Sequence, residues 1–173
     1  MRVSAQLADI PGTGAAIAFL TEAYESRLQR AGRAVEHPEE VARLLADDGQ
    51  PAPVVIAGLL HDVLEDTDTP AQALQDAFGP QVTQLVKALT QDPAIRSYRR
   101  RKAALREQIL SAGRDAATVA LADKASKLEQ VRSSPTQRKL DHYRETLRGI
   151  EQRYGSSPLS ELLRERLGRF GGD

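Results

Sequence analysis

The sequence predicts an all-α domain, on three observations. Apolar residues recur at three- and four-residue spacing along nearly the whole chain. Pro and Gly fall mostly between these periodic segments. No stretch alternates apolar and polar residues with β-branched enrichment, so no strand is expected. The elements follow in order. Ile17, Leu20, Tyr24 and Leu28 share a helical face between Pro11-Gly12 and Gly32. Pro38 suits a first helical position, opening a helix with Val41, Leu44 and Leu45 that Gly49 and Pro51 close. Residues 53 to 66 read as one continuous helix, apolar almost all round and so placed at the centre. Thr69-Pro70 opens a short helix that ends near Gly79, and Pro80 opens the next, with Val82, Leu85, Val86 and Leu89. The segment from Arg96 to Ala112 carries Tyr98, Leu105 and Ile109 and stops at Gly113. Asp115 is a cap for a helix through about Val131. Helices over 135–154 and 158–170 complete the set, with 171–173 frayed. No repeat at a fixed period is present.

The chain has 173 residues, the size of one domain spanning 1–173, with a motif-bearing core at about 24–132 and C-terminal helices at about 135–170. Roughly two thirds of its unfolded surface can be buried, so a real core is available. Lys plus Arg equals Asp plus Glu at 24 each, and the pI is about 6.9. That balance argues against non-specific binding to nucleic acid or to an anionic membrane, both of which need a standing basic excess. Without Cys there are no disulfides, thiolate metal sites or Cys nucleophiles. Without Trp, and with four Tyr and three Phe, stacking platforms for single strands are not expected. The longest apolar run, Val54 to Leu60, is far short of the roughly 20 residues of a membrane span. Asp9 and Pro11 interrupt any signal core, so a cytoplasmic protein is expected. Metal or acid–base chemistry must draw on three His, namely His37, His61 and His142, and on carboxylates.

The chemistry concentrates at the end of the apolar helix, in His61-Asp62-Val63-Leu64-Glu65-Asp66-Thr67-Asp68. In a continuous helix His61 lies over Glu65 and Asp62 over Asp66. His61 and Asp62, about 100° apart around the axis, can converge on one ion. The acidic pair one turn later is expected to face the same pocket. An isolated His-Asp doublet is more often a hydrogen-bonded pair, but charged groups on a buried helix need partners, and a metal is a good one. Two further residues stand ready: His37 just before Pro38, and Asp123 in Val119-Ala120-Leu121-Ala122-Asp123-Lys124, an acid in an otherwise apolar stretch.

The ordered set His37-Pro38, then His61-Asp62-Val63-Leu64-Glu65-Asp66-Thr67, then Leu121-Ala122-Asp123-Lys124 resembles the HD metal-dependent phosphohydrolases. Within them it is most similar to the (p)ppGpp hydrolase domain of the RelA/SpoT family, especially the small stand-alone alarmone hydrolases. Phe78-Gly79 with Val82, Leu85-Val86 and Thr90 matches the same branch, and the similarity runs from about Tyr24 to Arg132. The resemblance implies His37, His61, Asp62 and Asp123 as metal ligands, usually for Mn²⁺, although other divalent first-row cations suit the same donors. It implies Glu65 and Asp66 as the catalytic pair, with Glu65 positioning or deprotonating the attacking water. The implied reaction removes the 3′-pyrophosphate of guanosine 3′,5′-polyphosphates, yielding GDP or GTP. Arg30, Lys124 and Lys127 are the candidate substrate-binding residues.

Two departures from the family pattern open alternatives. The loop before His37-Pro38 is short and lacks an aromatic residue, which leaves Arg30 and Arg33 as competing matches for one basic position. Lys127 stands where the family commonly has an Asn that helps hold the nucleotide. A phosphomonoesterase acting on another nucleotide or on a phosphorylated dinucleotide is therefore a second reading, and a non-catalytic nucleotide-binding module a third. The basic segment Arg96, Arg99, Arg100, Arg101, Lys102 and Arg106 is read as a solvated face first and as a phosphate-attracting rim second. His142 is read as a surface or interface residue. Leu159, Leu162, Leu163 and Leu167 can pack on the core or on a second copy, so a homo-oligomer stays open.

Overall fold

A computed structural model describes residues 5–31, 36–131 and 133–170. Its helices are α1 (Ala5–Ala8), α2 (Thr13–Ala31), α3 (Glu36–Asp47), α4 (Ala52–Leu60), α5 (Val63–Asp66), α6 (Ala71–Leu89), α7 (Tyr98–Ala112), α8 (Arg114–Glu129), α9 (Gln137–Tyr154) and α10 (Pro158–Gly168). The fold is all-α, with no strand among the described residues. No described helix is long and apolar enough to cross a membrane.

Two helices organise the rest. In α4 every residue from Val54 to Leu60 is buried, and the helix packs on α2, α3, α6 and α8. Gly58 permits the closest of these approaches: a Cβ there would strike Leu45 Cδ1 and sit 3.4 Å from Val41 Cγ1, both on α3. Helix α8 is buried on all sides because Ala116, Ala117, Ala120, Ala122 and Ala125 leave room for α3, α4, α7 and α10 together. Burying each Leu or Val of this core contributes about 1.5–3 kcal/mol relative to exposure.

Most boundaries agree with the periodicity. Pro158 occupies the first turn of α10 behind a capping box of Ser157 and Ser160. Gly79, at φ 79°, breaks α6 into the two expected helices. Differences are local. Helix α3 starts at Glu36, which puts Pro38 at its third residue, still in the first turn where no N–H is needed. Gly113, at φ 110°, precedes Arg114, so Asp115 lies inside the first turn of α8 instead of capping it. The apolar helix does not run through to residue 66. It stops at Leu60 and resumes as α5, with Asp62 at φ −97° and ψ −4°. His61 Nδ1–H donates to the Gly58 carbonyl at 2.7 Å, the acceptor that the Asp62 N–H would use in an unbroken helix.

Candidate functional site

The break in the central helix is what builds the site. His61 keeps helical backbone angles (φ −58°, ψ −32°) while Asp62 departs from them (φ −97°, ψ −4°), and both meet His37 on α3 and Asp123 on α8. Four donor atoms, one from each of His37, His61, Asp62 and Asp123, lie within 4.8 Å of one another. His37 Nε2 is 3.0 Å from Asp123 Oδ1. His61 Nε2 is 3.1 Å from Asp62 Oδ2 and 3.3 Å from Asp123 Oδ1. The rings of His37 and His61 meet edge to face at 5.2 Å.

The imidazole orientations suit a metal. A carbonyl only accepts, so the bond to Gly58 fixes the proton of neutral His61 on Nδ1 and leaves an Nε2 lone pair facing the cluster. That Nε2 is fully buried, and neither nearby carboxylate oxygen meets it in hydrogen-bond geometry. His37 is braced as well, its Nδ1 paired with the Ser126 hydroxyl at 2.9 Å. A buried, orphaned ring nitrogen beside two carboxylates is a site that fits a cation. The electrostatics agree. Burial alone would push the His61 imidazolium down, but Asp62 and Asp123 override it and hold the group up at about 10. Burial would raise Asp62, yet His61 and Lys127 hold it well below the ordinary carboxylate range. Asp123 is likewise held low against burial by Lys127, His37 and His61. Two imidazoles and two carboxylates favour a borderline first-row divalent cation.

The cluster forms one wall of a cavity of about 300 Å³, whose other walls come from α6, α7, α8 and α9. Lys102, Lys124, Lys127 and Lys139 line it together with Tyr98 and Tyr143. Lys127 Nζ lies 2.7 Å from Asp123 Oδ1 and 3.6 Å from Asp62 Oδ2. Lys124 is almost fully buried beside Tyr143, and that burial brings its ammonium down to about 8 against the pull of Asp123. Burial also lowers Lys102 and Lys139. Lysines that are costly to keep charged gain from an anion entering beside them.

The candidate residues separate as follows. His37, His61, Asp62 and Asp123 converge, and Glu65, Lys124 and Lys127 line the same cavity. Glu65 accepts hydrogen bonds from Gln91 N and Gln91 Nε2, each at 2.7 Å. Asp66 turns to the other side of α5 and accepts from the Tyr24 hydroxyl at 3.2 Å. The Arg30 side chain and Arg33 lie outside the described residues. The basic segment divides: Lys102 reaches the cavity, Arg101 braces Gln91 at 3.0 Å, and Arg96, Arg99 and Arg100 are exposed. His142 is neither a surface nor an interface residue. It is buried on the cavity wall, with its Nδ1 3.2 Å from Arg106 Nη1. Burial, with Lys124, Lys102 and Arg106 nearby, takes it down to about 3. Its place was readable from the buried stripe of His142, Tyr143, Thr146 and Ile150 along α9, at three- and four-residue spacing. Gln91, Tyr98 and Lys139 carry no such motif.

Comparison with known proteins agrees with this geometry. A family model described as "HD domain" matches residues 16–148. A Mus musculus protein named guanosine-3′,5′-bis(diphosphate) 3′-pyrophosphohydrolase MESH1 is 36% identical over 105 residues, 59% of this chain and 58% of that protein. The Danio rerio protein of the same name is 34% identical over 99 residues, 56% of this chain and 54% of that one. A Mycobacterium leprae protein named probable GTP pyrophosphokinase is 31% identical over 131 residues, 73% of this chain but 17% of its own length. The chain therefore spans between about a sixth and about three fifths of these relatives. Among solved structures, a metazoan SpoT ortholog described as hydrolysing ppGpp superposes with a TM-score of 0.76 at 24% identity, covering 99% of this chain and 98% of that one. A Listeria monocytogenes EGD-e protein superposes with a TM-score of 0.65 at 28% identity, over 78% of this chain and 96% of that one. The family match covers well over half the chain, around the histidine–aspartate doublet itself, and the protein belongs to the HD domain family.

Proposed function

We propose that the chain, acting over 1–173 as one HD hydrolase domain, is a metal-dependent phosphohydrolase that removes the 3′-pyrophosphate from guanosine 3′,5′-polyphosphates. The observation that carries this reading is the orphaned His61 Nε2 in a two-His, two-Asp cluster, set in a cavity that four lysines line. His37, His61, Asp62 and Asp123 would hold the ion, with Mn²⁺ the cation of choice. A divalent cation there supplies Lewis-acid polarisation and neutralises phosphate charge. Glu65 holds the attacking water and takes its proton as the water oxygen bonds to the phosphorus next to O3′. The P–O3′ bond breaks, pyrophosphate leaves, and the proton returns to O3′ to give GDP or GTP. Lys102, Lys124, Lys127 and Lys139 hold the phosphate oxygens, and Arg30 is kept as a further substrate-binding candidate on the family resemblance alone. Asp66, which accepts from the Tyr24 hydroxyl outside this cavity, assists by tying α5 to α2. The substrate is a free small nucleotide met in the cytoplasm, with no call on a membrane or a nucleic acid, and a homo-oligomer is compatible with it.

The direct check is pyrophosphate release from ppGpp by the purified chain with Mn²⁺. Release is expected to require the metal and to be lost in Asp62→Ala and Glu65→Ala. One observation favours a second reading. Lys127, in place of an Asn, lies against Asp123 and Asp62 and can draw in a terminal phosphate instead of holding a nucleoside. A phosphomonoesterase built this way would release orthophosphate from a nucleotide or a phosphorylated dinucleotide, and a panel scored for both products separates the two.

A further inference from the structure

Glu65 sits between two cavities. One is the lysine-lined cavity of the metal cluster. The other, of about 320 Å³, is lined by Leu64, Thr90, Pro93 and Arg101, with Glu65 and Gln91 common to both. A carboxylate open on two sides has little apolar packing to hold its orientation. It has Gln91 instead. Glu65 Oε1 accepts from the Gln91 backbone N–H and Oε2 from the Gln91 side-chain amide, both at 2.7 Å.

The Gln91 amide cannot reverse. Its Oε1 accepts from Lys102 Nζ at 2.9 Å and from Arg101 Nε at 3.0 Å. Both partners are donors only, so Nε2–H must face Glu65. Arg101 is anchored in turn through Nη1 to the Ile95 carbonyl at 2.8 Å. The backbone of the preceding residue is fixed as well: Thr90 N–H closes the last turn of α6, and the Thr90 carbonyl accepts from Gln108 Nε2 at 2.9 Å. The arrangement puts a neutral amide between two cations and one carboxylate. A lysine in direct contact would pair with Glu65 as a point-charge counter-ion, whereas the amide fixes its orientation through two directed N–H donors.

We propose that Gln91 is a positioning residue for the hydrolysis, holding the Glu65 carboxylate by two N–H donors while Arg101 and Lys102 lock its amide. This rests on the functional reading above. The test compares Gln91→Glu and Gln91→Ala with the unchanged chain, at full length and with Mn²⁺. Substrates are ppGpp and a panel of phosphorylated nucleotides. Gln91→Glu keeps the acceptors for Arg101 and Lys102, so a merely bracing role predicts an active, well-folded enzyme. Positioning predicts a well-folded but slow enzyme, because an oxygen then faces Glu65. We expect kcat on the best substrate to fall roughly 100-fold with KM little changed, at an undiminished melting temperature. Gln91→Ala should lose kcat in the same direction. In a Glu65→Gln background neither substitution should lower the residual rate further. Wild-type-like kcat in Gln91→Glu, or a loss confined to KM, overturns the proposal while the functional reading stands. A wild-type chain inert toward the whole panel overturns the functional reading and the role of Gln91 with it.

Discussion

His142 illustrates how one side chain answers to its surroundings. Among cations and almost fully buried, it stays neutral in the folded chain down to about pH 3, against about 6.5 when unfolded. The unfolded state therefore binds more protons between those values, and stability falls as the pH drops below about 6.5. Going from about pH 7.5 to 5 should cost up to about 2 kcal/mol through this residue, at ~1.4 kcal/mol per pH unit. Urea unfolding at the two pH values checks it: His142→Gln should lose less stability on acidification than the unchanged chain, and equal losses would refute the assignment. The metal ligands give a second expectation. Added Mn²⁺ should raise the melting temperature of the unchanged chain by mass action, and should fail to do so in Asp62→Ala. At this scale the sequence was most informative where residue types are rare. Two of three histidines, and a carboxylate stranded among alanines, pointed to one ion. It said little about Gln91 or Lys139, ordinary polar residues whose roles come only from what lies across the cavity.

Helix α4 shows what periodicity reaches and where it stops. Its apolar run announced a central element, and the burial from Val54 to Leu60 agrees. The break after Leu60 was not legible, because it comes from a side chain competing with the backbone for the Gly58 carbonyl. Glu65 faces the cavity and Asp66 faces Tyr24, because consecutive residues of α5 point about 100° apart, where both were expected to face one pocket. Gly58 also sets the α3–α4 spacing. Gly58→Ala should destabilise the chain by about 1–3 kcal/mol, since fully buried Leu45 has little room to yield. Denaturant unfolding reads this directly, and an unchanged midpoint would show that α3 moves away freely. The end of the chain contributes as well. Arg166 of α10, nearly buried, donates through Nη1 to the Ala125 carbonyl at 2.7 Å, between Asp123 and Lys127 on α8. Arg166→Met should cost about 1–3 kcal/mol, the usual effect of removing a charged donor from a buried carbonyl.

Over the whole molecule, an even balance of acids and bases conceals one cavity in which both signs meet. Asp62, Glu65 and Asp123 stand on one side and four lysines around them. The sequence located the acidic wall almost completely, because its residues form a short ordered motif on three helices. The basic wall was partly visible: Lys124 and Lys127 lie beside Asp123 in the chain and Lys102 belongs to the segment read second as a phosphate-attracting rim, but Lys139 arrives from α9, and only helix packing brings it in. A cation site facing a cationic wall is matched to a substrate with several adjacent phosphates, and this match is the centre of the functional proposal. The most direct measurement is product analysis of ppGpp incubated with the purified, Mn²⁺-loaded chain. The account predicts stoichiometric GDP and pyrophosphate, abolished by chelation and by Asp62→Ala. Intact ppGpp after prolonged incubation, or orthophosphate as the first product, would contradict it.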